Sequence, residues 1–300
     1  MSVPEILALS IVVAVWGDTA GLEECLAALE PQQDHQTRVL VVSAVPLPEE
    51  IRRRFSWAEL REEDRQLLVP HLWTIGIRHA TTPIVSTMTA HFTPAPDYVA
   101  AVRAAHARLD AVGVGGRIDP PRCGTADAWA TYFLRYGTYL SWDRERGVTD
   151  FAGDNGSYKR AAVVAHPQLL EEGFWEQPFH RAVVAEGKAL RFVPQIRVTQ
   201  RAGFGVRRFM LQRFRHGMEF GRTRRAGAGR AARVARTMAL PLVPAVLVAK
   251  TAGRVLRARR DLAPFVRCLP LLFAFVLAWS AGEAVGTLGR GRLTARRAGG

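Results

Sequence analysis

Three short runs of apolar, largely β-branched residues constrain this chain most: Leu7 to Trp16 (LALSIVVAVW), Arg38 to Ala44 (RVLVVSA) and Ile84 to Met88 (IVSTM). In the first, Ile11, Val12 and Val13 follow one another without a polar break, as strands covered on both faces do. A helix from about Ala20 to Leu29 is expected after it, with Leu22, Leu26 and Leu29 on one stripe, Asp18 or Thr19 as cap and Pro31 as stop. A charged, solvated helical stretch over Glu49–Arg65 follows the second run. Leu67 to Pro70 then reads as a short strand and Leu72 to His79 as a helix. The order β-α-β-α-β predicts an α/β fold, a doubly wound, mostly parallel sheet with helices on both faces.

The third run leads directly into Thr89-Ala90-His91 and then a turn broken by Pro94 and Pro96. In open α/β sheets ligands collect beyond the carboxyl ends of the strands, so this triplet is expected on the floor of a cleft. A strand end satisfied by hydroxyls, with one solvated imidazole, would carry the same residues. Downstream, Asp97–Leu109 reads as an Ala-rich amphipathic helix and Val112–Ile118 as a glycine-bearing strand. Gly113, Gly115 and Gly116 lack the helix start that a phosphate loop requires. Ala126–Leu140 is an aromatic helix. Thr149 to Arg160 is a polar, glycine-rich loop that offers backbone N–H groups and short side chains, as surface loops and ligand loops both do. A helix from Gly173 to about Gly187 and a strand at Leu190–Val193, stopped by Pro194, complete the pattern.

Charge is distributed unevenly. Of 41 Lys+Arg and 27 Asp+Glu, residues 1–196 hold 19 and 24, a balance of −5, and residues 197–300 hold 22 and 3, a balance of +19. In the basic part arginines flank two apolar runs, Met238–Ala249 and Cys268–Ala281. Both fall short of the roughly 20 residues of a clean span and suit an interfacial or re-entrant hairpin, although the second would reach span length if it continued to Leu288. The arginines at 254–260 match a cytoplasmic connection or contact with anionic lipid. Apolar interleaving favours a membrane surface over nucleic acid, which charge alone would also allow. Cys25, Cys123 and Cys268 show no metal spacing and are expected as reduced thiols, and Met1–Ser10 lacks the basic region of a secretory signal. The expected organisation is a domain over 1–200, a basic amphipathic segment over 201–236, a helical hairpin over 237–290 and a basic end over 291–300.

The order of these blocks resembles family 2 glycosyltransferases of the GT-A fold. SIVVAVW-GDTAGLEECLAAL looks like that family's nucleotide-holding first strand and helix, and HLWTIGIRHATTPIVSTMTAHFTPAPDYV like the unit leading to its acidic D-x-D site. FAGDNGSYKR looks like the acceptor-side loop, GFWEQPFHRAVVAEGKALRFVPQIRV like the block with the catalytic carboxylate, and LQRFRHGMEFGRTRR like the basic segment of membrane-associated members. The resemblance implies an inverting, nucleotide-sugar-dependent transferase with Glu176 as general base and His180, one helical turn on, orienting it or meeting the acceptor. A carboxylate beside Phe174 and Trp175 would have a raised pKa, which suits a base. Val15, Trp16, Asp18, Ser43, Thr89, Ala90 and His91 fall at donor positions. Gly153, Asp154, Asn155 and Trp175 fall at acceptor positions, and Gln212, Arg213 and Arg215 at a diphosphate contact. The family's divalent Mg2+ or Mn2+ would have to use His91, because Thr89-Ala90-His91 stands where the family has D-x-D.

The partners so implied are a nucleotide-sugar donor, a lipid-linked or polysaccharide acceptor and an anionic membrane surface, with no nucleic acid. The cell membrane, with the catalytic domain cytoplasmic, is the location implied. The missing carboxylates leave a second expectation, a transferase-like subunit that keeps the fold as a binding or assembly partner.

Overall fold

The computed structural model describes residues 7–63, 67–121, 124–201, 205–226, 229 and 242–289. Cys123, the first residues of the Met238–Ala249 run and the basic end from 291 onward lie outside the described residues. The chain divides into two compact units, residues 1–122 with 142–201, and residues 123–141 with 202–300.

The first unit is built on β1 (Leu9–Val15), β2 (Thr37–Ser43), β3 (Glu59–Glu62), β4 (Ile84–Thr89), β5 (Phe92–Pro94), β6 (Gly113–Asp119), β7 (Arg146–Val148), β8 (Gly156–Lys159) and β9 (Leu190–Gln200). Its helices are α1 (Leu22–Leu29), α2 (Glu49–Arg54), α3 (Val69–His79), α4 (Tyr98–Arg108), α6 (Arg160–Val164), α7 (Pro167–Glu171) and α8 (Glu176–Ala185), while α5 (Ala126–Tyr136) belongs to the second unit. Strands pair in the order β3-β2-β1-β4-β8-β6-β9-β5, with β7 on β9. The first four are parallel, and Ala14 lies opposite Thr89 and Val15 opposite Ser43, so the carboxyl ends of β1, β2 and β4 come level. β8 is antiparallel to both its neighbours. Although β5 follows β4 at once in the chain, it pairs at the far edge with β9, so the sheet must curl back on itself. The Arg201 N–H donates to the His91 carbonyl at 2.8 Å and closes that curl.

Alternation along the strands gives each face its own layer. Val12, Ala14, Val42 and Val85 pack with Leu72, Trp73 and Ile77 of α3, with Phe179 and Val183 of α8, and with Phe151, Tyr158 and Phe174. Gly76 lets α3 approach, since a Cβ there would lie 2.2 Å from a Val12 methyl. On the other face the Cys25 thiol of α1 reaches the Met88 sulfur at 3.9 Å, and the Tyr98 hydroxyl of α4 meets the Ser86 hydroxyl at 2.6 Å. The two-faced α/β architecture is therefore as expected.

Several details differ from the sequence reading. Leu67–Pro70 forms no strand: Val69 and Pro70 open α3, where a proline lacks only an N–H that the first turn would leave unpaired. The third strand lies instead in the charged stretch, as ELRE at the sheet edge. Asp18 does not cap α1. Its carboxylate accepts from the Ala20 N–H at 3.1 Å, and the helix begins after Gly21 at φ +90°. Pro194 does not stop β9. It sits where the register shifts between Gly116 and Arg117, so its missing N–H interrupts no ladder bond.

The second unit comprises α5 with α9 (Val206–Ala226), α10 (Val243–Ala258) and α11 (Leu262–Leu288). α11 is one continuous helix of 27 residues with Pro270 inside it, long and apolar enough by length and composition to cross a membrane. Arg259 (φ 51°) and Asp261 (φ 60°) form the tight turn that precedes it. α9 and α11 run parallel and touch backbone to backbone. A Cβ on Gly217 would fall 2.0 Å from the Trp279 carbonyl oxygen, on Gly221 2.4 Å from that of Glu283, on Gly282 2.0 Å from that of Phe214, and on Gly286 2.1 Å from that of Met218. The sequences are GMEFG and GEAVG, two small-x-x-x-small stripes facing each other, a spacing that lets helices approach this closely.

Candidate active site

Four segments of the first unit converge beyond the carboxyl end of β4. Every residue of β4 is buried. The Trp73 indole N–H of α3 donates to the Met88 carbonyl at 2.9 Å, and the Thr87 hydroxyl donates to the Gly153 carbonyl at 2.7 Å. These bonds fix the short 3-10 turn Gly153–Asn155 against the strand. Asn155 anchors the other side of the turn, its Nδ2 donating to the Arg117 and Ile196 carbonyls at 2.9 and 3.1 Å. The glycines of β6 make this possible, because a Cβ on Gly116 would lie 2.4 Å from Asn155 Nδ2 and one on Gly115 2.3 Å from the Phe151 ring. They are packing glycines, in keeping with the absence of a phosphate-loop pattern.

Glu176, the first residue of α8, is brought to this turn. A Cβ on Gly153 would stand 3.2 Å from the Glu176 Cβ and Cδ and from the Trp73 ring, so the Glu176 carboxyl lies directly against Gly153. The preceding loop holds it there. Gly173 (φ +97°) packs on Pro70 and His71, and the Phe174 N–H reaches the Pro70 carbonyl at 2.9 Å and the Thr74 hydroxyl at 2.7 Å. Glu176 is half-buried, Asp154 and Asn155 are buried, and Trp175 is 37% exposed beside them in sequence.

His180, one turn along α8, is fully buried. Its Nδ1 lies 2.6 Å from an Asp150 carboxylate oxygen and its Nε2 3.2 Å from the Tyr158 hydroxyl, with the Phe151 ring 4.2 Å away. Both ring nitrogens thus face Asp150 and Tyr158.

On the donor side, Val15 and Ser43 are buried at their strand ends. The Ser43 hydroxyl donates to the Val45 carbonyl at 2.5 Å and so faces its own loop. The Ala90 N–H continues the ladder onto the Ala14 carbonyl at 3.0 Å. Thr89 Oγ1 is buried and has no hydrogen-bond partner among the described residues. Trp16 and His91 are part-exposed. Next to Ala90 lies a cavity of about 500 Å3 lined by Thr19, Gly21, Glu24, Pro48, Arg54 and Arg201 among others. Gly21 borders both, since a Cβ there would meet the Ala90 carbonyl at 2.5 Å and the Arg201 side chain at 3.1 Å. Arg201 pairs with Glu24 at 2.6 Å, and Arg54 with Glu23.

Arg201, Glu24 and Trp73 were not singled out from the sequence. Glu24 and Arg201 are 177 residues apart, and only the curl of the sheet joins them. Gln212, Arg213 and Arg215 all lie on α9 of the second unit. There the Arg213 guanidinium stacks over Phe209 at 5.0 Å and its Nη2 lies 3.0 Å from His216 Nδ1.

The triplet does not fit a divalent metal. Mg2+ and Mn2+ favour carboxylate and carbonyl oxygens, whereas Thr89-Ala90-His91 offers one hydroxyl and one imidazole. Among the described residues no group of three or more His, Cys, Asp or Glu side chains is placed to hold a metal ion.

A curled, mostly parallel α/β sheet with helices around it is a fold that the chain shares with known glycosyltransferases. The mannosyltransferase PcManGT from Pyrobaculum calidifontis, solved with GDP-Man and Mn2+, is similar over 95% of this chain and 88% of its own, with a TM-score of 0.56 and 18% identity. GalNAc-T7, solved with UDP, GalNAc and Mn2+, is similar over 68% of this chain and 45% of its own, with a TM-score of 0.51 and 14% identity. No protein-family model matches the sequence, and no curated protein matches it.

Proposed function

We propose that the chain is a membrane-associated, inverting glycosyltransferase of the family 2 type. It would transfer a sugar from a nucleotide-sugar donor to a lipid-linked or polysaccharide acceptor, on the cytoplasmic face of the cell membrane. The observation that carries this reading is the placement of the Glu176 carboxyl against the Gly153–Asn155 turn at the end of β4, on a fold shared with two glycosyltransferases. In the proposed reaction the acceptor hydroxyl attacks the anomeric carbon and passes its proton to Glu176. The bond from that carbon to the diphosphate breaks, its electron pair leaves with the nucleoside diphosphate, and the anomeric configuration inverts. Asp154, Asn155 and Trp175 are assigned to the acceptor, and Val15, Trp16, Asp18, Ser43 and Thr89–His91 to the donor. His180 is assigned a positioning role, holding α8 through Asp150 and Tyr158.

Leaving-group charge needs cations in place of the metal that the triplet does not fit. Arg201 is assigned this role, since it lines the cavity and its backbone N–H is bonded to His91. Gln212, Arg213 and Arg215, on α9 of the second unit, stay as the diphosphate contacts that the family resemblance implies.

Titration calorimetry of the detergent-solubilised chain against UDP-, GDP- and dTDP-sugars, with Mn2+ or with EDTA, tests the reading. One donor is expected to bind equally well under both conditions. Glu176→Gln is expected to lower turnover by about 100-fold or more while leaving donor affinity within about twofold. A folded sample that binds no donor would favour the second reading, a transferase-like binding subunit, for which the carboxylate-free triplet speaks.

A further inference from the structure

We propose that the second unit is a monotopic platform, and that α11 lies in the plane of an anionic lipid surface without crossing the bilayer. This deepens the membrane-associated reading above and is independent of sugar transfer. Length and composition alone would let α11 span, since 27 residues extend about 40 Å. Its neighbours argue against that. Phe209 of α9 meets Phe275 edge to face with ring centres 4.8 Å apart, and the facing glycines continue the contact to Gly286 and Arg222. Residues from 275 onward are therefore accompanied by a parallel helix whose sequence carries Arg213, Arg215 and Arg222 in the contacting stretch. A transbilayer α11 would carry these arginines into hydrocarbon, where ionised side chains are costly. The portion clear of α9, residues 262–274, extends only about 20 Å, short of the roughly 30 Å of a hydrocarbon core.

The surface of α11 suits a lipid plane. Phe265, Cys268, Leu272, Phe275, Val276, Ser280, Glu283 and Thr287 are buried. Exposed residues follow helical spacing along another stripe: Leu262 44%, Val266 63%, Phe273 46%, Leu277 50% and Leu288 53%. Arg267 on α11 is exposed, as are Arg257 and Arg259 just ahead of it in the chain. The 22 Lys+Arg against 3 Asp+Glu beyond residue 196 match an anionic headgroup layer.

The test uses the full chain with vesicles of phosphatidylcholine, with and without 30% phosphatidylglycerol (about a third of the lipid, a typical anionic load). Flotation is expected with the anionic vesicles, and Phe273→Asp with Leu277→Asp is expected to reduce the floated fraction about tenfold or more at unchanged thermal stability. Topology is read in a background of Cys25→Ser, Cys123→Ser and Cys268→Ala, with Asp261→Cys and Gly289→Cys introduced separately. On sealed vesicles with the protein added outside, an impermeant maleimide is expected to label both positions fully. Labelling of one position only until detergent is added would overturn the in-plane placement while keeping the membrane association. Failure to float, or undiminished flotation of the double Asp variant, would overturn the lipid-binding face itself, and assembly into dimers through that stripe would then be its role.

Discussion

Gly282→Ala tests the backbone contact between α9 and α11 with a single methyl group. The new Cβ would sit 2.0 Å from the Phe214 carbonyl oxygen, 2.8 Å from its carbon and 3.0 Å from the Met218 nitrogen. All three are helix backbone, so no rotamer change relieves the contact and the helices must part by about 1 Å. A gap of that size forfeits roughly a quarter to a half of the dispersion energy across the interface. Overpacking of this kind costs about 1–3 kcal/mol, and rigid backbone on both sides points to the upper end. The better helix propensity of alanine returns about 1 kcal/mol. The net loss of about 2 kcal/mol corresponds to a fall of roughly 5–10 °C in the melting temperature of a unit of this size. Cys268 reports it directly, because its buried thiol reacts with a maleimide only as the unit opens. Temperature-dependent labelling, with Cys25→Ser and Cys123→Ser in the background, gives the transition. Gly253→Ala is the control: its Cβ would meet only an arginine tip at 3.8 Å, and it is expected to stabilise by up to about 1 kcal/mol. Equal melting of the two variants would refute the close-contact account.

Three further outcomes are expected. His106, 6% exposed and 2.9 Å from the Ser157 hydroxyl, has its pKa pushed down to about 4 by burial, helped by the Lys159 charge. The unfolded chain then binds the extra proton between about pH 6.5 and 4, so stability present above pH 6.5 is lost on acidification, by about 2 kcal/mol at pH 5. Urea melts of His106→Gln should show a flatter dependence there, and an unchanged slope would exclude His106 as the source. Arg201→Ala should weaken donor binding about tenfold by calorimetry, and an unaltered affinity would remove Arg201 from the diphosphate site. Asp150→Asn should lower kcat at nearly constant KM if it acts by positioning α8 through His180, whereas a change in KM alone would place Asp150 in binding.

Much of the fold was legible because burial on both faces writes itself into β1, β2 and β4 as uninterrupted apolar runs. The ELRE edge strand was not, since an edge needs no apolar pattern and charge is what protects it. Leu67–Pro70 misled for another reason: a short apolar run also suits the approach and first turn of a helix, where only Pro70 of the four is buried. At the candidate site, Glu176 and the Gly153–Asn155 turn were nominated by the family resemblance, since a glutamate at a helix start and a polar glycine loop are equally common as plain surface features. Trp73, Glu24 and Arg201 were not, because tertiary approach alone selects them. The paired glycines of α9 and α11 did carry a signal, a four-residue spacing repeated in GMEFG and GEAVG, that the surrounding arginines and apolar runs overshadowed.

The interruption of the first unit by α5 sets a schedule for the nascent chain. Phe133 of α5 stacks edge-on against Phe265 of α11 with ring centres 5.2 Å apart, a partner 132 residues later in the sequence (265 − 133). At about 5–20 residues per second, the aromatic face of α5 waits on the order of ten seconds for its partner to be made. The ribosome will therefore have finished the whole of the sheet, which ends at Gln200, before Phe265 can cover Phe133. Truncating the chain after Arg201 would make the wait permanent.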